Sequence, residues 1–224
     1  MSNLTTYVAA IDQFVQGTIP LATADKNLAV AQAVKTHSRH KPVVVVEDVD
    51  GDGGFDYALD DLDDWSDGFS VVRQVEYPVD DDDETADIVD DDNWTIYAKP
   101  DGEVLRFLYA TPDADEDVRI TYTAMHECPA SGTCTVSGYD EEAVQALAAG
   151  FFCEMLATYF SQDQDSTIAA DSVDHSSKAK NYAARAKALK KIYFDHVGVK
   201  PDGPAPAGFT VAKAPETDRV RLSH

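Results

Sequence analysis

The sequence predicts an α+β fold: a bundle of about four helices, an antiparallel β insert between the second and third helices, and an extended C-terminal arm. Apolar residues recur at helical spacing near both ends of the chain, whereas short alternating or β-branched runs fill its middle. The charge follows the same division, because the middle is acidic and the last helix is basic. We therefore assign residues 1–41 and 137–197 to the bundle, 42–136 to the insert and 198–224 to the arm.

Length and composition limit the class of protein. The 224 residues suit one large domain or two small ones, and an apolar share of 44% is enough for a hydrophobic core. Three cysteines are an odd number, so we expect no disulfide framework. No apolar run approaches the length of a transmembrane helix, and the N-terminus lacks the charged and apolar regions of a secretory signal. A membrane is therefore not an expected partner.

The net charge excludes further classes. The chain has 41 Asp and Glu against 18 Lys and Arg, which gives a net charge of −23. A protein that coats nucleic acid needs clustered cations to neutralise phosphates, so this charge argues against that role. Strong acidity also keeps proteins soluble in concentrated salt, which suggests a halophilic host. The alternative is an ordinary acidic protein with a few Asp-rich loops.

Two helices are predicted at the N-terminus. In residues 3–16, Leu4, Tyr7 and Ile11 recur at three- and four-residue spacing, with Asn3 as a candidate N-cap. The second helix is expected to run from near Thr23 to near His40, just before a proline.

The middle of the chain predicts roughly five strands. Residues 43–49 are β-branched, and residues 69–77 alternate between apolar and polar side chains. Three more short runs follow at 94–98, 104–109 and 118–123. The runs of acidic residues at 60–64, 80–83 and 90–92 are interpreted as solvated loops.

Two further helices are predicted after the insert. Helical periodicity returns at Asp140, and apolar residues from Ala143 to Phe160 form a wide face, which is typical of a helix central to a bundle or to an oligomer contact. The last helix, from about Asp174 to Val197, carries six Lys and Arg residues around an apolar stripe. These cations form either a solvated face or a surface for an acidic protein neighbour, which the overall charge favours over DNA.

The segment after Gly198 is rich in Pro and Gly and predicts an extended arm. It still contains Phe209, Val211, Val220 and Leu222, more apolar residues than an idle linker needs. Such a segment is expected to become ordered on a partner surface.

The most specific local motif is an Asp-rich turn that matches the start of a calcium-binding loop. Asp48, Asp50, Asp52 and Asp56 occupy positions 1, 3, 5 and 9 of such a loop. Position 12, which should be a bidentate Glu, is Leu59, so any bound calcium would be held weakly. The other interpretation is a Gly-rich turn between two strands.

Other residues give little support for catalysis or a structural metal. His126, Cys128 and Cys134 lie in one loop that lacks a fourth zinc ligand, so a tight loop or local disulfide competes with zinc. Cys153 falls on an apolar helix face and is expected to be a core thiol. Nucleophile-elbow and P-loop motifs are absent, and the six histidines are scattered in the sequence. We expect neither an enzyme nor a resident cofactor.

The order of these segments resembles the head–tail adaptor, or connector, proteins of tailed viruses and prophages. The resemblance covers about residues 1–197 and is carried by packing and turn motifs rather than by a catalytic signature. These motifs are AVKTHSR (33–39), DGDGGFDYAL (50–59), WSDGFS (65–70), VEYP (75–78), WTIY (94–97), LRF (105–107) and DSTIAADSVD (165–174).

The resemblance implies a helical bundle with a β insert, and a ring of usually twelve copies beneath the portal. It also implies that the ring extends the channel for the genome DNA, which it does not bind specifically, and that it receives the tail or a stopper protein. The protein would assemble in the host cytoplasm and remain in the virion at the head–tail interface. Adaptors commonly grip the portal with the C-terminal segment, where the expected contact residues are Phe209, Val211, Arg219, Val220, Arg221 and Leu222.

The sequence is also compatible with two other functions. The Asp-rich turn would suit a calcium-binding module of a halophilic or extracellular protein. An unrecognised hydrolase would need a pocket with perturbed carboxylates, which a sequence does not reveal.

Overall fold

The computed structural model describes residues 2–16, 20–79, 86–109, 111–114, 116–162 and 175–200, the side chains of 162 and 175–177 excepted. Within these ranges the chain forms four α-helices, one 3-10 turn (Leu59–Asp61) and two small antiparallel sheets, which confirms the α+β class. The helices are α1 (Leu4–Val15), α2 (Thr23–His40), α3 (Glu141–Gln162) and α4 (His175–Val197).

Local polar contacts fix where the helices begin and end. The Asn3 side chain accepts a hydrogen bond from the Thr6 backbone N–H at 3.1 Å, as predicted for the N-cap of α1. At α2, the Asp25 carboxylate reaches back to the Ala22 backbone N–H at 2.9 Å. α4 ends at Val197, and the Gly198 that follows has a left-handed φ of 74° and donates its N–H to the Phe194 carbonyl at 2.9 Å.

α3 is the central helix of the bundle, as its wide apolar face predicts. It packs against each of the other three helices. Its approach to α4 is close, because a Cβ at Gly150 would lie 2.9 Å from Lys190 Cγ and 3.3 Å from the Ala186 carbonyl oxygen. Its largest fully buried residues are Leu147, Phe152 and Leu156.

The length and composition of α3 would also allow it to cross a membrane, which the sequence analysis did not anticipate. Its segment Glu141–Ser161 is the single such helix in the described part of the chain. However, 56% of this segment is buried inside the protein, as expected for the core helix of a bundle.

The insert contains six strands rather than the five expected. They are β1 (Val43–Asp50), β2 (Asp56–Ala58), β3 (Val72–Glu76), β4 (Trp94–Lys99), β5 (Gly102–Phe107) and β6 (Asp117–Ala124). The missed strand, β2, has only three residues, too few for an alternating pattern. β3 begins three residues later than predicted because Phe69 and Ser70 donate backbone hydrogen bonds to the Ser66 carbonyl in a turn.

The strands form two sheets with the orders β1-β6-β3 and β2-β5-β4. β1 pairs with β6 along its whole length, from Val43 opposite Ala124 to Asp50 opposite Asp117. Strands β1 and β3 are therefore the edges of one sheet and β2 and β4 those of the other, and β1 has no strand partner on its outer side within the described residues.

The buried apolar residues divide into two clusters. The helical cluster contains the inner faces of α1–α4 together with Cys134 and Val136 from the segment before α3. The second cluster fills the space between the sheets with Leu59, Leu105, Tyr122 and their neighbours. Each cluster is continuous, so both parts of the chain bury their own core.

A core substitution in α3 tests this packing. Leu147 is fully buried, so Leu147→Ala should lower the free energy of unfolding by about 2–5 kcal/mol. The matched control is Leu28→Ala, because Leu28 lies on α2 and is 52% exposed, and its effect should stay below about 0.5 kcal/mol. Urea unfolding followed by circular dichroism measures both, and equal effects would contradict the central position of α3.

Candidate functional site

The predicted partner-binding residues of the arm, Phe209, Val211, Arg219, Val220, Arg221 and Leu222, lie outside the described residues. The acidic run 80–83 and the motif at 165–174 also lie outside them. The predicted calcium ligands, the cysteine loop, α4 and four of the six histidine side chains are all described.

Asp48, the first predicted calcium ligand, forms an ion pair across the sheet. It lies on β1 directly opposite Arg119 of β6. The Arg119 Nε and Nη2 atoms donate to the two carboxylate oxygens at 2.7 and 2.9 Å. These hydrogen bonds hold the pKa of Asp48 below its usual value.

Asp56, the last predicted ligand, has two cationic partners. Arg106 of β5 donates from Nε at 2.5 Å and from Nη2 at 2.7 Å, and Lys99 of β4 lies 2.7 Å from the same carboxylate. The hydrogen bonds from Arg106 are the main reason that the pKa of Asp56 is strongly lowered. Arg106 also stacks on the Tyr97 ring at 4.1 Å.

Of the two middle residues of the motif, Asp50 is the last residue of β1, opposite Asp117 of β6, and Asp52 lies in the tight turn that follows. The Asp52 carboxylate accepts a hydrogen bond from the Gly54 N–H at 2.7 Å, and Gly53 has a left-handed φ of 76°. A Cβ at Gly51 would lie 2.2 Å from the Asp113 carbonyl oxygen, so the glycine allows two backbone segments to meet.

The four carboxylates line one open groove of about 570 Å³. They do not converge, because no three His, Cys, Asp or Glu side chains in the described part of the chain are placed to hold a metal ion together. A calcium ion would have to displace Arg119 from Asp48, and Arg106 and Lys99 from Asp56. Calcium binding by this turn stays a prediction.

The structure contains a local disulfide in the cysteine loop, which is one of the alternatives that the sequence left open. Cys128 and Cys134, six residues apart, are bonded to each other. The loop is anchored to the start of α1, because the Leu4 N–H donates to the Pro129 carbonyl at 3.1 Å and the Cys134 N–H to the Ser2 carbonyl at 2.8 Å. Cys153 is free and buried, as predicted, and burial raises its pKa to about 11.

Sequence reasoning missed a buried polar cluster where the insert joins the bundle. Four histidines that are scattered in the sequence meet around one tyrosine and one carboxylate. The members of this junction cluster are His37, His40, Lys41, His126, Asp140, Tyr193 and His196.

The Tyr193 hydroxyl connects α4 to α2. It lies 3.3 Å from Nδ1 of His37 and 2.9 Å from Nδ1 of His40. A hydroxyl has one proton, so it can donate to only one of these nitrogens. Tyr193 and His37 are almost completely buried, at 0% and 1% exposure.

Asp140 lies one residue before α3 and collects three donors. It accepts from Lys41 Nζ at 2.8 Å, His196 Nε2 at 2.8 Å and Ser137 Oγ at 3.0 Å. Burial alone would raise the pKa of this carboxyl, but the hydrogen bonds outweigh burial and lower it to about 2. The ionised Asp140 therefore joins the starts of β1 and α3 to the end of α4.

His126 connects the end of β6 to the junction cluster. Its Nε2 lies 2.8 Å from the Lys41 carbonyl oxygen, which can only accept, so this nitrogen carries a proton. Its ring centre is 4.9 Å from that of His37. Burial and, to a smaller extent, the neighbouring His126 lower the pKa of His37 to about 4. His37 is therefore neutral at pH 7.

These contacts give the junction cluster a structural role, because they hold the insert against the bundle. Tyr193, His37 and Asp140 are too deeply buried for a substrate to reach them. The adjacent groove of about 390 Å³ is bordered by His126 alone among the members of the cluster. One signal in the sequence could have revealed the cluster: polar residues at 37, 193 and 196 occupy inner positions of otherwise apolar helix faces.

No protein-family model matches the chain, and no curated protein is similar to it. Solved structures with weak similarity include the following two. One is the neck of an empty gene transfer agent particle computed with C6 symmetry, with 15% identity, a TM-score of 0.30, and coverage of 78% of this chain and 87% of that one. The other is the virion of a native gene transfer agent particle, with 13% identity, a TM-score of 0.28, and coverage of 79% and 87%. TM-scores this low do not establish a shared fold.

The histidines of the junction cluster predict a loss of stability in acid. His37 has a folded pKa of about 4 against an unfolded value of 6.5, so the unfolded chain binds the proton first as the pH falls. Stability should therefore fall as the pH drops from about 6.5 towards 4, by about 3 kcal/mol for this residue.

The measurement is urea unfolding at several pH values between about 7.5 and 4.5. His37→Gln should show a smaller loss over this range than the unmodified protein. Asp140 does not contribute there, because its stabilisation is lost only as the pH falls below its unfolded pKa of 3.8 towards about 2. An unchanged slope in the variant would remove His37 as the cause.

Proposed function

We propose that this protein is a head–tail adaptor of a tailed virus or prophage. In this role it forms a ring beneath the portal, extends the channel for the genome and joins the capsid to the tail. The ring contains about twelve copies, as the resemblance implies, and the protein performs no catalytic step. It remains in the virion after assembly in the host cytoplasm.

The order of the elements carries this proposal. Two helices, a six-stranded insert and two further helices follow one another, and α1–α4 bury one common core. This is the arrangement that the resemblance to adaptors requires: a bundle interrupted between its second and third helices by β structure. The junction cluster supports a rigid, structural role, because it binds the insert to the bundle and its His37, Asp140 and Tyr193 side chains are buried.

Exposed apolar side chains support assembly into a larger complex. Val44 and Val46 lie on the same face of edge strand β1, and each is 56% exposed. Ile88 and Val71 are exposed to a similar extent. A face of this kind on an edge strand is a place where another chain can pack or pair.

The acidic surface of the insert supports a channel that does not bind DNA. Asp60, Asp61, Asp63 and Asp64 are exposed, and so are Asp90, Asp91 and Asp92. Carboxylates at these positions would repel the phosphates of a passing duplex. The genome could then move through the ring without being held by it.

The arm would supply the contact with the portal. Its apolar residues would fill small pockets on the portal surface, while Arg219 and Arg221 would pair with acidic groups there. One short peptide binds weakly, but a ring of copies holds every arm near its site and raises the effective concentration. The opposite face of the ring would receive the tail or a stopper protein.

Removing the arm tests the proposed function directly. A variant without residues 201–224 retains α4 and its cap at Gly198, so it should fold and unfold like the full chain. It should no longer bind the portal protein encoded in the same genome. Co-purification followed by native mass spectrometry measures both the binding and the number of copies.

A point variant controls for the large deletion. Phe209→Asp combined with Val211→Asp removes two apolar anchors without shortening the chain, and it should also weaken binding. Full portal binding by the truncated protein would remove the arm from the mechanism. Absence of any complex between the full chain and the portal would overturn the adaptor function itself.

A halophilic host would explain the charge, and salt tests this part of the proposal. The Debye length falls from about 10 Å at 0.1 M salt to about 3 Å at 1 M, so repulsion among carboxylates weakens. The melting temperature should therefore rise by several degrees when KCl is raised from about 0.1 to 1 M. Neutralising Asp60, Asp61 and Asp63 to Asn should reduce this rise, and no rise in the unmodified protein would favour an ordinary acidic protein.

A further inference from the structure

One face of α4 is exposed and positively charged. Lys180, Lys187 and Lys191 are all exposed, with Ala184 between the first two. A helix has 3.6 residues per turn, so intervals of four, seven and eleven residues bring these four positions into one narrow stripe. The stripe is about 16 Å long, and the small Ala184 side chain lets another surface approach it. We refer to these four residues as the lysine stripe.

The lysine stripe is only partly neutralised within its own chain. Lys191 forms an ion pair with Asp195 one turn further along α4. Lys180 and Lys187 form no ion pair with any of the residues that the structure describes.

The other cations of α4 are turned to internal contacts. Lys190 pairs with Glu154 of α3 at 2.7 Å. Arg185 donates to the Phe14 and Val15 carbonyl oxygens at the end of α1. Lys178 lies over the Phe160 ring, with 5.5 Å between Nζ and the ring centre. The lysine stripe is therefore the part of α4 that these internal contacts leave largely free.

The insert presents a surface of opposite charge. Five of the eight residues from 60 to 67 are Asp, and all five side chains are exposed: Asp60, Asp61, Asp63, Asp64 and Asp67. None of them pairs with a cation within the described ranges. We refer to these five residues as the aspartate loop.

The aspartate loop is held firmly in place. Leu59 and Leu62 anchor it in the core between the sheets, at 0% and 4% exposure. The Glu47 carboxylate accepts from the Asp63 backbone N–H at 3.2 Å, and the Tyr122 hydroxyl accepts from the Asp64 N–H at 3.2 Å. Its carboxylates can therefore meet a partner without the cost of ordering the backbone first.

We propose that the lysine stripe of one copy binds the aspartate loop of the next copy. This inference rests on the proposed ring and identifies the surfaces that join its subunits. The two surfaces are different, so the contact is head-to-tail, and each copy keeps one surface free for a further neighbour. A contact of this type closes into a ring when the rotation between copies is suitable. DNA is the competing partner for the lysine stripe, but the net charge of −23 would repel a duplex.

Zero-length cross-linking of isotope-labelled protein tests which residues meet. A mixture of unlabelled and 15N-labelled full-length chains is assembled with the portal protein of the same genome and treated with a carbodiimide, which joins amines to carboxylates in contact. We expect cross-links from Lys180 or Lys187 to the aspartate loop that pair one labelled with one unlabelled peptide. Cross-links of uniform label only would place the contact within one chain and overturn the proposal.

Charge reversal tests whether the contact stabilises the ring. The triple variant Lys180→Glu, Lys187→Glu and Lys191→Glu should weaken association between copies about tenfold or more, measured by sedimentation. A matched control reverses Lys35, Arg39 and Arg73, which are also exposed and change the net charge equally. The control should assemble much more completely than the triple variant.

A compensating variant makes the result specific. Asp60→Lys, Asp61→Lys and Asp63→Lys should fail to assemble alone but should assemble when mixed with the triple glutamate variant. Rings that form on the portal equally well with and without the triple reversal would overturn this inference and leave the adaptor function intact. Loss of DNA binding without loss of assembly would assign the lysine stripe to DNA instead, and failure of the unmodified protein to form any ring would overturn both.

Discussion

The position of the insert against the bundle depends on the hydrogen bonds that the Asp140 carboxylate accepts. It accepts hydrogen bonds from Lys41, where the chain enters the insert, and from His196, near the end of α4. The backbone carbonyl of Asp140 accepts the first hydrogen bond of α3, from the Val144 N–H. An ionised carboxylate at this depth is stable only with several donors, so these segments are held in one arrangement.

Most of the fold could be predicted because it follows from local periodicity. All four helices and five of the six strands were recognised from spacing, caps and turn residues that lie close together in the sequence. The junction cluster could not be predicted in the same way. His37 and Tyr193 are 156 residues apart, and only packing of α2 against the rest of the bundle brings them together.

The Asp-rich turn shows why spacing predicts a site less well than it predicts a helix. Asp48 and Asp56 have the spacing of calcium ligands, yet they lie on strands of two different sheets. Their nearest charged neighbours are Arg119 and Arg106, which antiparallel pairing places directly opposite each of them. Cross-strand neighbours come from distant parts of the sequence, so a motif of nine residues contains no information about them.

Charge imposes the main constraint on any assembly of this chain. Copies that each carry a net charge of −23 repel one another, and this repulsion grows with every subunit added to a ring. Screening by salt reduces repulsion at a distance but does not select an orientation. A local surface of opposite charge both reduces the repulsion and selects an orientation, because it lowers the energy of one arrangement and leaves the others repulsive. The chain has few basic residues, and several of them lie together on one exposed face of α4. They provide a local surface of opposite charge while the total charge of the chain stays strongly negative.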